Sequence, residues 1–199
     1  SSDLSRQDAA RIGILCRGTD LQLHLGACRF GIDRLLLDGG LQGWKAAGGA
    51  VTSGPATQPA AASFEVRPAL RELVFTDQVV ADLGRPTQTV VDARGAPRYR
   101  GEVEPLDPVA GHIPGALNRP FVDNLGPDGR FKPADQLRQE WQTLLGLRAP
   151  ESVVHHCGSG VTAVPNVLAM ELAGFAPVAL YAGSWSEWCR DPARPVEKG

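Results

Sequence analysis

The residues from Val154 to Ala163 read Val-His-His-Cys-Gly-Ser-Gly-Val-Thr-Ala. They place one nucleophile, Cys157, between an apolar stretch and a glycine-rich turn. A cysteine between a buried strand and a helix N-terminus sits where backbone N–H groups converge and the helix dipole is positive. Both effects favour the thiolate, which is the nucleophilic form. Gly158 and Gly160 permit positive-φ backbone, so successive N–H groups can be aimed into an anion-holding nest. Such a nest would also hold a persulfide anion, with its outer sulfur presented to an acceptor. Composition alone leaves a second reading open, a buried structural cysteine.

The neighbouring His155 and His156 suggest a metal site at first sight. Adjacent strand residues point to opposite faces, so two such histidines do not share one ion. No metal and no organic cofactor is expected. Asp92 and Arg94, at the end of a second apolar run, are expected to orient loops. The four cysteines, Cys16, Cys28, Cys157 and Cys189, form no Cys-x-x-Cys pair. That spacing speaks against a zinc ribbon or a dithiol redox pair and fits a reducing compartment, so the cytoplasm is expected. Cys16 is read as structural, and Cys28 and Cys189 as small core residues.

The elements that must position these residues follow from pattern. Strands are expected over Thr87–Ala93, Ser152–His156 and Val178–Tyr181, with helices between them. Thr76 is expected to cap a helix to about Leu83, with Gly84 closing it. Pro133 starts an amphipathic helix to about Leu147 that carries Leu137, Trp141, Leu144 and Leu145 on one face. Thr162 is expected to cap a helix reaching Gly174, and a short helix covers Gly183 to Cys189. This alternation implies an α/β fold, with a mostly parallel sheet flanked by helices on both faces. Its natural site is the crevice at the strand C-termini, where Cys157 and Arg94 both fall.

Before Val51 the pattern is sparser. Ile12–Cys16 and Arg34–Asp38 read as strands, Leu21–Phe30 and Leu41–Ala47 as helices. About 50 residues of this kind cannot bury a core alone. The stretch 51–63 is rich in Ala, Pro, Ser, Thr and Gly and reads as a linker. Over the whole chain of 199 residues, 43% are hydrophobic, 21% are charged and the formal net charge is −2. That balance gives no electrostatic reason to expect nucleic acid, and no apolar run approaches the ~20 residues of a membrane span.

Four motifs resemble one family in order. Cys-Gly-Ser-Gly-Val-Thr-Ala from Cys157 resembles the active-site loop of 3-mercaptopyruvate sulfurtransferases and related bacterial rhodaneses. The run Asp92 to Glu102 is similar to the arginine motif of their second domain. Gly111 to Ala116 (Gly-His-Ile-Pro-Gly-Ala) and Gly183 to Trp188 (Gly-Ser-Trp-Ser-Glu-Trp) match two further signatures. The resemblance implies a rhodanese-like fold over 64–199. It also implies that 1–50 is the C-terminal part of an inactive first rhodanese domain, incomplete here, because Leu37 to Trp44 is similar to that domain's ending.

Carried over residue by residue, the resemblance makes Cys157 the sulfur-accepting nucleophile. Arg98 becomes the anchor for the donor's anionic end, and Gly158, Ser159, Gly160, Val161 and Thr162 the substrate-binding loop. Asp92 and Arg94 support them. Thiosulfate-preferring members carry Cys-Arg-Lys-Gly at the loop, so Gly158 and Ser159 favour mercaptopyruvate. Mercaptopyruvate enzymes also carry Glu-Pro-Glu-Pro-Arg, whereas Glu104-Pro105-Leu106-Asp107-Pro108 lacks that second arginine. The implied partners are a small sulfur donor and a thiophilic acceptor such as cyanide, a thiol or thioredoxin. A phosphatase of related fold would need arginine six residues after the cysteine, and Ala163 stands there. A non-catalytic sulfur-relay or binding module is the remaining alternative.

Overall fold

The computed structural model describes residues 37–54 and 72–199. These fall into two units, 37–54 with 127–131 and 72–126 with 132–199. In the first unit, helix α1 (Gly40–Ala46) follows Gly39, whose φ of 84° lies in the left-handed region. The indole N–H of Trp44 donates to the carbonyl of Ala50 at 3.0 Å, and Asp38 accepts the N–H of Phe131 at 3.0 Å. The segments expected over Ile12–Cys16 and Leu21–Phe30, with Cys16 and Cys28, lie outside the described residues. So do most of the expected strand at 34–38 and of the linker.

The second unit is built on five parallel strands: β1 (Leu73–Val74), β2 (Thr89–Asp92), β3 (Leu117–Asn118), β4 (Val153–His156) and β5 (Ala179–Tyr181). Their order across the sheet is β1-β5-β4-β2-β3. Central strands β2 and β4 pair in register from Thr89 with Val153 to Asp92 with His156. Every residue of both strands is buried, as expected of strands covered on both faces. The helices are α2 (Thr76–Ala81), α3 (Ala96–Tyr99), α4 (Ala134–Leu145), α5 (Val164–Leu172) and α6 (Ser184–Trp188).

The alternation along β4 divides the core. Val154 joins Val90, Tyr181, Val79 of α2, and Trp185 and Trp188 of α6 in one apolar cluster. His155 points the other way, edge-on to Trp141 of α4 and with Nε2 3.2 Å from the sulfur of Met170 on α5. Leu137, Trp141 and Leu145, each four residues apart, form the buried stripe of α4, one face of a 3.6-residue repeat. Each buried side chain of this size stabilises the fold by about 1.5–3 kcal/mol.

Several expected boundaries move, each for a local reason. Strand β2 starts at Thr89 rather than Thr87, because the Gln88 N–H turns back to the carbonyl of Arg85. Helix α4 stops at Leu145, where Gly146 takes a φ of 59°, and Leu147 is left fully exposed. Thr76 does not cap α2. Phe75 is the capping position, its N–H held by the Gln78 side chain at 2.8 Å. The Thr76 hydroxyl bonds instead to Tyr181, at 2.8 Å, and to Glu187. Thr162 does not cap α5 either, since the helix begins after Ala163, with Pro165 in its first turn.

Candidate functional site

Cys157 leaves the C-terminal end of β4 between two layers of backbone hydrogen bonds. The carbonyl before it, on His156, accepts the N–H of Ala93 at 2.9 Å and so ties the ends of β2 and β4. The Cys157 N–H donates to the Ser184 hydroxyl at 3.2 Å. The N–H groups of Trp185 and Ser186 donate to the carbonyls of Cys157 and Gly158 at 3.0 and 2.8 Å. The start of α6 therefore clamps the Cys157 loop. Ser184 holds this position at a φ of 55°, unusual for a non-glycine residue, and its hydroxyl donates on to the Tyr181 carbonyl at 3.0 Å.

Beyond Cys157 the loop is shaped by glycine. Gly160 has a φ of 80°, and a Cβ there would stand 2.4 Å from the carbonyl oxygen of Ala182. Both the dihedral and the close backbone approach require glycine. The N–H groups of Gly158, Ser159, Gly160, Val161 and Thr162 make no hydrogen bond to the described residues. Ser159 is exposed and Gly158, Val161 and Thr162 are half-buried, whereas Cys157 itself is only 1% exposed. The sequence places the positive end of the following helix at the cysteine, but α5 begins only at Val164. The helix whose first N–H groups reach the loop is α6.

The arginines divide their work. Arg94 is buried and fully engaged. Its Nε and Nη2 grip the Asp92 carboxylate at 2.6–3.1 Å, Nη2 also reaches the Gly111 carbonyl at 2.7 Å, and Nη1 meets Glu104 at 3.2 Å. Its guanidinium lies over the ring of Trp185, 4.7 Å from the centroid. Arg94 is thus a strut between the end of β2, the 104–111 loop and α6. Burial works to raise the Asp92 carboxyl, but His156 and Arg94 beside it outweigh burial and hold it below the usual range.

Arg98 stands on the short helix α3, which has Pro97 in its first turn. Its Nη1 lies 3.3 Å from the place a Cβ on Gly158 would take, so the guanidinium borders the Cys157 loop. With one-fifth of its side chain exposed, Arg98 is more accessible than Arg94. Its other nitrogens meet Glu104 and Asp107. Burial pushes the Glu104 carboxyl up, yet hydrogen bonds from Arg98 and the N–H groups of Leu106 and Asp107 bring it below the usual range.

His155 and His156 face opposite sides of the sheet, as their adjacency requires. His156 lies against Asp92, 3.7 Å from Nε2 to Oδ2, with its Nδ1 at the Cys157 carbonyl. Burial holds His155 far down, at about 3, and lowers His156 as well. His112 stacks on Tyr99 at 3.8 Å and pairs with the backbone of Glu197, a structural arrangement. A separate cleft of about 600 Å³, lined by residues such as Arg85, Thr89, Pro114 and Leu147, lies toward the N-terminal ends of the strands. It contains none of the Cys157 loop.

Sequence reasoning placed Cys157, Arg98 and their loop together, and the structure brings them to one strand end. It missed Ser184, whose strained backbone has no sequence signature. It also missed the grip of Glu104 and Asp107 on Arg98. Acidic residues six and nine positions after an arginine on a short helix were the available signal.

Comparison with known proteins agrees with this geometry. The model of the rhodanese-like domain matches residues 75–191. The protein named "Probable 3-mercaptopyruvate sulfurtransferase" of Pseudomonas aeruginosa is 53% identical over 165 residues, covering 82% of this chain and 57% of that protein. The 3-mercaptopyruvate sulfurtransferase of Homo sapiens is 38% identical over 156 residues, covering 77% of this chain and 52% of its own length. The thiosulfate sulfurtransferase of Gallus gallus is 36% identical, with the same coverage. The chain spans about half the length of the curated relatives it matches. Among solved structures, the anaerobic ergothioneine biosynthesis enzyme from Chlorobium limicola superimposes with a TM-score of 0.78 at 25% identity, over 90% of this chain and 45% of that one. Fold, loop geometry and relatives agree, and the chain belongs to the rhodanese-like domain family.

Proposed function

We propose that the chain is the catalytic part of a sulfurtransferase that moves a sulfane sulfur from 3-mercaptopyruvate or thiosulfate to a thiophilic acceptor through a persulfide on Cys157. The observation that carries this reading is the juxtaposition of Cys157, five loop N–H groups with no acceptor among the described residues, and the Arg98 guanidinium bordering Gly158. A guanidinium stays charged and grips a carboxylate or thiosulfonate through two nitrogens, which suits it to anchor the donor.

In the first half-reaction the Cys157 thiolate attacks the transferable sulfur of the donor, and a new S–S bond forms. The donor's C–S bond, or the S–S bond of thiosulfate, breaks. Its electron pair leaves with the enolate of pyruvate, which takes a proton from water, or with sulfite. In the second half-reaction cyanide, a thiolate or a reduced thioredoxin attacks the outer sulfur and returns Cys157 as thiolate. Residues Gly158 to Thr162 donate their N–H groups to the sulfur anions of both halves. Asp92 and Arg94 act by holding the loop and α3 in place.

In this proposal 64–199 is the catalytic domain, 51–63 a linker and 1–50 the end of an inactive first rhodanese domain. The reaction takes place in the cytoplasm. Among the described residues no helix is long and apolar enough to cross a membrane. Intact-mass measurement after incubation with either donor tests the intermediate. The expected result is a gain of one sulfur atom, absent in Cys157→Ser and reversed by cyanide. A gain that persists in Cys157→Ser would overturn the assignment.

A further inference from the structure

Arg98 is not a free cation. Its Nη2 lies 2.6 Å from Glu104 Oε1 and 3.2 Å from Asp107 Oδ2, and its Nε lies 3.2 Å from Glu104 Oε2. The two carboxylates are held very differently. Glu104 also takes Arg94 and the N–H groups of Leu106 and Asp107, and its side chain is 4% exposed. The carboxylate of Asp107 has, among the described residues, one hydrogen-bond partner, the Nη2 of Arg98. Glu104 is part of the scaffold, whereas the Asp107 carboxylate, its side chain 9% exposed, meets the Nη2 of Arg98 from a loop whose neighbour Leu106 is 77% exposed. This ion-pair network contains three carboxylates, Asp92, Glu104 and Asp107, and two guanidinium groups, Arg94 and Arg98. With all five ionised it carries one net negative charge.

We infer that Asp107 is a specificity-determining residue, its carboxylate on Arg98 selecting sulfur donors that bear a single negative charge over dianionic ones. The inference rests on the reading of Arg98 as the donor's anchor. A donor anion must approach the guanidinium that Asp107 already occupies. A monoanion that displaces the Asp107 carboxylate from the guanidinium restores the balance that Asp107 supplied. A dianion adds a second charge facing the same carboxylates in a partly buried site, where each unit charge at a few ångströms counts for more than in water. At neutral pH 3-mercaptopyruvate with its thiol protonated is a monoanion, and thiosulfate is a dianion. The chain lacks the lysine of the thiosulfate-preferring loop, and Ser159 stands there, so nothing in the loop offsets the second charge.

The test is steady-state sulfur transfer to cyanide by the full chain with each donor, in wild type, Asp107→Asn, Asp107→Ala and Asp107→Glu. The thiosulfate-to-mercaptopyruvate ratio of kcat/KM should rise about tenfold in both neutral variants and stay within about twofold of wild type in Asp107→Glu. An unmoved ratio in the neutral variants, or an equal rise in Asp107→Glu, overturns the inference. A measurement on the wild type does not depend on the variants folding. Pyruvate should protect Cys157 from iodoacetamide at lower concentration than sulfate does, and the opposite order contradicts the inference. If the wild type shows no Cys157-dependent transfer from either donor, it is the proposed function that fails. Transfer with an unmoved ratio leaves that function standing and removes Asp107 from it.

Discussion

The Ser184 hydroxyl accepts the N–H of Cys157 at 3.2 Å from a backbone held at a φ of 55°. A non-glycine residue in that region costs roughly 1–2 kcal/mol, so its surroundings must enforce it. What enforces it is visible on both sides. The same hydroxyl donates to the Tyr181 carbonyl, and the next two N–H groups close on the carbonyls of Cys157 and Gly158. The strained corner and the Cys157 loop are one unit, and the loop's geometry depends on α6 as much as on the strand that carries it.

Two variants separate the strain from the hydrogen bond. Ser184→Ala keeps the strained φ and orphans the buried Cys157 N–H, so it should lose roughly 1–3 kcal/mol of stability. Ser184→Gly loses the same bond but relieves the dihedral, and should be the more stable of the two by about 1 kcal/mol. Urea denaturation of both compares them directly. Equal stabilities would show that the φ of Ser184 carries no strain.

Glycine substitutions test the loop in the same way. Gly160→Ala meets both a φ of 80° and the Ala182 carbonyl at 2.4 Å, while Gly115→Ala meets only a φ of 72° with open space around its Cβ. Gly115→Ala should cost about 1 kcal/mol. Gly160→Ala should cost more and should also slow alkylation of Cys157, because the clash displaces the loop. Melting curves and iodoacetamide kinetics read the two effects separately.

Arg94 and Arg98 predict opposite phenotypes. Arg94→Ala leaves Asp92 buried without its guanidinium partner and removes one of the two guanidinium groups on Glu104, so it should destabilise the fold by roughly 3–5 kcal/mol. Arg98→Ala touches a side chain one-fifth exposed at the loop. It should raise KM for the donor or lower kcat/KM by at least about tenfold while shifting Tm by less than Arg94→Ala. A large Tm loss in Arg98→Ala with unchanged donor kinetics would assign Arg98 to the scaffold instead.

Acid should unfold the protein partly through His155. Its ring is neutral in the folded state, with a pKa lowered by burial to about 3, and near 6.5 once unfolded. Between these values the unfolded chain binds the proton and the folded one does not, so stability falls as pH drops from about 6.5 toward about 3. Glu140, lowered to about 2 by Arg119, Lys132 and Gln136 against an opposing push from burial, adds stability above about 4.5 that is lost below it. Replacing His155 by Leu should flatten the pH dependence of urea midpoints between about 4 and 6.5. An unchanged slope would show that His155 does not govern it.

The fold was legible where pattern and chemistry coincide. The buried strands β2 and β4 read as short apolar runs between turn residues, and the stripe Leu137, Trp141 and Leu145 read at helical spacing. Capping was less legible. Thr76 and Thr162 are good capping residues by type, yet the Thr76 hydroxyl is taken by Tyr181 and Glu187, more than a hundred positions away. At Thr162 the chain turns for one more residue before α5 begins. The site showed the same division. Cys157 and its glycines follow from local sequence. The clamp by α6 and the carboxylates on Arg98 depend on contacts between separate elements, which no local period encodes.

The central claim is that sulfur passes through Cys157, and the initial rate of thiocyanate formation from cyanide tests it most directly. The rate would be measured with 3-mercaptopyruvate and with thiosulfate, for the full chain and for Cys157→Ala. The account predicts turnover in the wild type, faster with mercaptopyruvate, and none above background in Cys157→Ala. Turnover that survives the loss of Cys157, or its absence from the wild type with both donors, would contradict it.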